Sequence, residues 1–194
     1  MSDLADRLLL LKQRLQTAYD GIGQSYGRPF VYFVYPPAKE QELQRLVSEE
    51  LVSSPPLVFL PIDVLQQIIG VTAGQEQQRE QLLGDPRQGK SAAGSLFGRW
   101  SLAIAESMRE AVATQTAQSK PVLLLNGLAA LHPLGTPTSL MEMIAEQETR
   151  HPQTNMIVPV LLFVPGVRPP QTSREYLFLG QERMRQSFYR GEEL

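Results

Sequence analysis

The stretch GDPRQGKS, with Gly84, Gly89, Lys90 and Ser91 at their stated offsets, satisfies the spacing G-x-x-x-x-G-K-[ST]. In a loop of this kind, backbone N–H groups close around phosphate oxygens, the lysine adds a cation and the hydroxyl reaches a magnesium ion. That chemistry needs a strand to deliver the chain into the turn and a helix N-terminus to receive the anion. Before Gly84 the sequence reads EQQREQLL, which is polar and helix-prone. Gly84, Gly89, Lys90 and Ser91 are therefore read first as part of a glycine-bearing loop, with nucleotide binding as the alternative. The magnesium carboxylate is missing as well, because the apolar run VLLL leads to Asn126, whose neutral amide brings no charge to a hard cation. The segment best placed to precede a phosphate loop, FVYFVY, runs instead into YPPAKE, where prolines remove backbone donors.

Other reactive patterns are weaker. The chain has no cysteine, which excludes thiolate zinc sites and a cysteine nucleophile. His132 and His151 stand far apart with no H-E-x-x-H around either, and read as loop histidines. GKSAAG misses the nucleophile elbow G-x-S-x-G by one residue. Glu106 with Glu110 and Glu142 with Glu146 are i,i+4 carboxylate pairs that read as solvated helix faces. No catalytic residue, metal site or cofactor is expected, and the sequence leans away from an enzyme.

The last quarter is chemically distinctive. Arg168, Arg174, Arg183, Arg185 and Arg190 are interleaved with Tyr176, Phe178, Phe188 and Tyr189, while the last lysine is Lys120. Arginine beside aromatics suits desolvated contacts with carboxylates, phosphates or another protein. Three readings stay open: an ordinary terminus with Tyr176 and Phe178 in the core, a protein-binding surface, or DNA contact through phosphates and stacked bases. The candidate partner-binding residues are Arg168, Arg174, Tyr176, Phe178, Arg183, Phe188, Tyr189 and Arg190. Pro165, Gly166 and Gly180 are expected at structural turns.

The elements that must position these groups follow from length and patterning. The 194 residues are 42% hydrophobic and 20% charged, as for one globular domain spanning 1–194. A net charge of −2 argues against a surface built throughout for nucleic acid. The opening MSDLADRLLLLKQRL places acids before its leucines, the wrong layout for a secretory leader, and no apolar run approaches the ~18–20 residues of a membrane span. A soluble cytoplasmic protein with no membrane partner is expected; self-association is not legible.

Leu4, Leu8, Leu11 and Leu15 recur at helical spacing, with Ser2 or Asp3 as N-cap and Gly21 and Gly23 at the exit. FVYFVY (30–35), LVFLPID (57–63), residues 122–125, residues 157–164 and EYLFLG (175–180) read as strands. Helices are expected from residue 38 towards Leu51, over VLQQIIG, over QEQQREQLL, from Arg99 to Thr114 with Leu102, Ala105, Met108 and Val112 on one face, and over LMEMIAEQE. The last of these starts at Thr136 with Pro137, or in a capping box of Ser139 with Glu142. The longest loop is expected over residues 84–98, flexible, and RMRQSFYRGEEL reads as a closing helix or an extended tail. This is the pattern of an α/β domain of three layers: a mainly parallel sheet of about five strands flanked by helices. By analogy it is a P-loop-like or Rossmann-like scaffold without catalytic parts. Ligands of such sheets sit beyond the strands' carboxyl ends, which directs attention to YPPAKE, PIDV, NGLAALHPLGTP and VPGVRPPQ.

The order of segments also resembles a known family. FVYFVY followed by Tyr35-Pro-Pro-Ala-Lys-Glu40, then LVFLPIDVLQQI, VLLLNGLAALHPL, Phe163-Val-Pro-Gly166, YLFLG ending at Gly180, and Phe188-Tyr-Arg190 together resemble the BrxB family of bacterial phage-exclusion (BREX) systems. The resemblance spans most of residues 28–191 and lies in order and spacing rather than in any one motif. Val167 departs from it, standing where an acidic residue often follows the Pro-Gly. The resemblance implies a small non-catalytic accessory component of an anti-phage system that binds the larger PglZ protein of the alkaline-phosphatase superfamily; DNA contact within that larger complex, through the C-terminal arginines, stays open as an alternative.

Overall fold

A computed structural model of the chain describes residues 3–22, 29–85, 87, 89–170 and 174–193. Alternation along the strands divides its interior in two. In β1 (Phe30–Tyr35) every residue is buried. Phe30, Tyr32 and Val34 enter one core, and Val31, Phe33 and Tyr35 enter the other. The same division separates Ile62 from Leu57 and Phe59 in β2 (Leu57–Asp63). It separates Leu123 and Leu125 from Val122 and Leu124 in β3 (Lys120–Asn126). In β4 (Val160–Val167) it separates Leu162 and Val164 from Leu161 and Phe163. A sheet covered on both faces needs no polar alternation, which is why these strands read as unbroken apolar runs. The protein is a three-layer α/β fold.

The main sheet has the order β2-β3-β4-β1-β7, with β7 covering Gly191–Glu193 and every neighbouring pair parallel. From β1 the chain passes through α2 (Glu40–Glu50) to β2 at the far edge, then steps back towards β1 through β3 and β4. Parallel crossovers are right-handed, so opposite directions of travel place their connections on opposite faces. Accordingly α2 lies with α1 (Asp3–Ala18) on one core. The other core receives α3 (Val64–Thr72), α5 (Gly89–Ala113) and α6 (Pro137–Ile144). Between α3 and α5 runs α4 (Glu76–Gly84).

Several expectations need correction. The loop expected over 84–98 gives way to helix: α4 reaches Gly84 and α5 begins at Gly89. Leu96, Phe97 and Trp100 continue the apolar stripe of Ile104, Ala105 and Met108 into the same core, and that burial outweighs the poor helix propensity of Gly94 and Gly98. Leu102 is not on this stripe and is 48% exposed. β4 begins at Val160 and continues through Pro165 and Gly166, so the expected Pro-Gly turn is strand. Pro165 lacks an N–H, yet its carbonyl still accepts from Leu179 N.

The fifth strand, β5 (Glu175–Phe178), runs antiparallel to the end of β4 and pairs with β6 (Arg185–Ser187). The C-terminal segment thus supplies two further strands, β6 and β7, which is nearer to the extended tail than to the closing helix of the two alternatives, and the sheet has seven strands among the described residues. Of the two starts expected for α6, Thr136 with Pro137 at the first helical position is the one formed, with Thr136 in a capping box with Ser139. Ser2 and Gly23, expected at the ends of α1, lie outside the described residues. No described helix is long and apolar enough to cross a membrane.

Candidate functional site at the carboxyl end of the sheet

Strand order fixes where a ligand would sit. β1 sends the chain to one face and its neighbour β4 sends it to the other, so a crevice opens between their carboxyl ends. Its rims are Pro36 and Pro37 after β1, where a short 3₁₀ turn (Pro37–Lys39) leads into α2, and Gly166 to Arg168 at the end of β4.

The polar groups here are committed to one another. The Tyr35 hydroxyl donates to Glu40, and Glu40 also accepts from Gln44. Burial, then the hydrogen bond and charge of Glu40, push the Tyr35 phenol far up. Asp63, at the end of β2, accepts from Gln66 N and caps α3. Arg168 reaches across β1 to Glu193 of β7, its Nε 2.6 Å from the carboxylate, and Arg7 of α1 stands 3.9 Å away on the other side. The Glu193 side chain is 6% exposed and its contacts are ionic rather than aligned hydrogen bonds. Burial pushes its carboxyl above the usual range, opposed by Arg168 and Arg7.

Gly166 belongs to this closure. A Cβ there would stand 2.7 Å from Leu177 O of β5, so only glycine lets β5 fold against the end of β4. Gly180 is at a turn, as expected: Leu179 (φ 53°) and Gly180 (φ 70°) both have positive φ, and Gln181 N donates to Phe178 O, as in a type I′ turn.

The Arg/aromatic segment separates into two populations. Tyr176 and Phe178 are fully buried, while Phe188 and Tyr189 are half-buried against the same core. Phe188 lies between Tyr32 (ring centroids 5.0 Å) and Tyr176 (5.4 Å). These aromatics support a surface from beneath. Arg168 pairs with Glu193, Arg185 with Glu175 and Glu182, and Arg190 with Glu148. Arg174 is exposed, and Arg183 donates from Nε to the neutral Gln181 Oε1 at 2.8 Å.

GDPRQGKS joins two helices. Gly84 ends α4, Gly89 N donates to Asp85 O and opens α5, and Ser91 is exposed. Pro86, Gln88 and the side chain of Lys90 lie outside the described residues. A helix stands where a phosphate loop has its strand, and the segment is not at a strand's carboxyl end. Glu106, Glu110 and Glu142 are exposed as expected, and the Glu146 side chain lies outside the described residues. His132 is exposed in its loop. His151 is instead 4% exposed. Its Nδ1 accepts from Gln153 N and Thr154 N, which makes Nε2 the donor to Thr116 O. Among the described residues no group of three or more His, Cys, Asp or Glu is placed to hold a metal ion.

One concavity lies beside the crevice. A hollow of about 400 Å³ is bounded by residues 132–136 after β3, Ser139 of α6, a short turn at Glu182–Met184, and Gln186 of β6. Thr136 Oγ1 ties its walls together, bonding Ser139 at 3.1 Å and Gln186 Oε1 at 3.0 Å. The segment NGLAALHPLGTP directs attention here from sequence; Ser139 and Gln186 carry no such signal, because their role depends on β6 folding back over α6.

Fold and site together define a doubly wound α/β domain whose carboxyl-end crevice is bridged by its own side chains. Comparison with protein-family models, curated proteins and solved structures finds no match for this chain.

Proposed function

We propose that this protein is a non-catalytic accessory component of a BREX-type anti-phage system, cytoplasmic, and that it holds a PglZ-like partner of the alkaline-phosphatase superfamily. One observation carries the non-catalytic half. At the switch point the position of a phosphate-binding turn is taken by Pro36 and Pro37, and the nearby charged groups Glu40, Arg168 and Glu193 are engaged within the chain. The glycine-lysine motif lies elsewhere, between helices. The partner half rests on the order of segments that resembles BrxB.

Co-purification with the PglZ-like protein tests this reading. The two proteins are expected to elute together, and Arg174→Glu, at an exposed position near the sheet's carboxyl end, is expected to weaken the complex without unfolding the chain. Truncation after Gly180 is unsuitable because it removes β6 and β7. A stable protein that ignores the partner overturns the proposal. Calorimetry with ATP and magnesium is expected to give no binding heat; binding abolished by Lys90→Ala would restore the nucleotide reading. DNA affinity falling steeply with salt would restore the DNA reading.

A further inference from the structure

We propose that the hollow between residues 132–136 and the Glu182–Met184 turn receives an acidic segment of the protein partner, with a partner carboxylate seated on Arg183. The proposal rests on the interaction reading above and names the surface and its chemistry.

The first argument is charge. Among the C-terminal arginines, Arg168, Arg185 and Arg190 each have a carboxylate of this chain within 4 Å: Glu193 at 2.6 Å, Glu182 at 2.6 Å and Glu148 at 3.6 Å, respectively. Arg183 has none among the described residues. Its one hydrogen bond, from Nε to Gln181 Oε1, goes to a neutral amide and fixes the plane of the guanidinium. The terminal NH₂ groups have no protein acceptor among the described residues. A planar fork held in this way matches a carboxylate through two parallel N–H bonds. Arg183 lines the hollow; Arg174 does not.

The second argument is the lining. Pro133, Leu134 and Met184 give an apolar floor beside the cation, with His132 exposed on the rim. Thr136, Ser139 and Gln186 already satisfy one another, so the walls are fixed. The space is shallow and open, unlike the enclosing pockets that bury most of a small ligand's surface. An apolar side chain next to an Asp, Glu or terminal carboxylate on a polypeptide satisfies both features.

The third argument is position. The hollow adjoins the carboxyl ends of the strands, the region where sheets of this class meet their ligands. Gln186, which lines the hollow, is paired in the β5–β6 ladder with Tyr176, whose ring stacks on Phe188, so the wall beside Arg183 stands on ordered strand.

The test measures affinity for the purified PglZ-like protein with the parent, Arg183→Glu and the control Arg87→Glu, which is exposed between α4 and α5. Arg183→Glu is expected to weaken binding by about tenfold or more, and Arg87→Glu to leave it within about twofold. Because the chain has no cysteine, His132→Cys adds an independent readout: maleimide labelling of the rim is expected to slow when the partner is bound. Binding unaffected by Arg183→Glu, or labelling that the bound partner does not slow, overturns the hollow as the docking site while leaving the adaptor reading intact. Failure of the parent to bind the PglZ-like protein overturns both.

Discussion

The Tyr176 hydroxyl lies 2.9 Å from Thr138 Oγ1, and Thr138 in turn donates to Ser187 O at 2.8 Å. One hydroxyl on the first turn of α6 therefore ties β5 to the end of β6. The directions follow from the acceptors: Ser187 O can only accept, so Thr138 gives its hydrogen there and receives that of Tyr176. Tyr176→Phe removes one bond and is expected to cost about 1 kcal/mol, whereas Thr138→Val leaves a buried hydroxyl and a carbonyl unpartnered and is expected to cost about 3 kcal/mol. Urea denaturation of both single variants and the double variant checks this. The double variant should be less destabilised than the sum, because the two residues share one bond.

The same cluster sets an alkaline limit. Burial pushes the phenols of Tyr32 and Tyr176 up from their ordinary value of 10.0; for Tyr32 the neighbouring Tyr176 adds to the effect, and for Tyr176 bonds to Thr138 oppose it. The unfolded chain releases these protons near pH 10 while the folded chain retains them. The stabilisation is therefore fully present below that pH and is lost as pH rises above it. Denaturant midpoints are expected to fall in this range, less steeply in Tyr176→Phe than in the parent. Equal slopes would mean that the buried phenol does not contribute.

Gly191 is required by close approach. A Cβ there would stand 2.5 Å from Tyr32 Cε2 and 2.6 Å from Phe30 O, and the carbonyl belongs to the strand that β7 pairs with. Gly191→Ala is expected to push β7 away from β1 and cost about 1–3 kcal/mol, with faster hydrogen exchange at the amide of Tyr32, which faces β7, than at that of Val31, which faces β4. Gly70, inside α3, has open space at its Cβ position. Gly70→Ala is expected to stabilise the chain by up to about 1 kcal/mol. Thermal unfolding of the two variants should move in opposite directions.

β1 and β2 are legible in the sequence to the residue: FVYFVY is buried throughout, and LVFLPID is an apolar run up to its terminal Asp63. β7 is not legible: Gly191-Glu192-Glu193 has no strand signal of its own. It is held by residues distant in sequence, with Arg14 on Glu192 and Arg7 and Arg168 on Glu193. The first turns of α5 are hidden for a similar reason, since their glycines are overruled by a core assembled from other elements. His151 reads as a loop residue until the turn at 153–154 offers it two N–H groups. At the site, arginine and aromatic content is visible in the sequence, but which arginines are engaged depends on where Glu148, Glu175, Glu182 and Glu193 fold.

The edge of the sheet at β2 is closed to strand addition. Leu57 exchanges both backbone bonds with Ser54, Leu57 N donating at 2.9 Å and Ser54 N at 3.0 Å. Phe59 N donates to Ser53 Oγ at 2.9 Å. Alternate residues of a strand point their backbone groups to the same side, so the next outward position is Pro61, which has no N–H. Three successive outward donors are thus capped, capped and absent, which is how an edge strand avoids pairing with another chain. Ser53→Ala with Pro61→Val exposes two of them. The double variant is expected to form larger species than the parent at matched concentration in sedimentation velocity, while restoring either residue alone reduces the effect. A double variant that sediments like the parent would refute this account. A partner strand approaching this edge therefore meets no free donor at Leu57, Phe59 or Pro61.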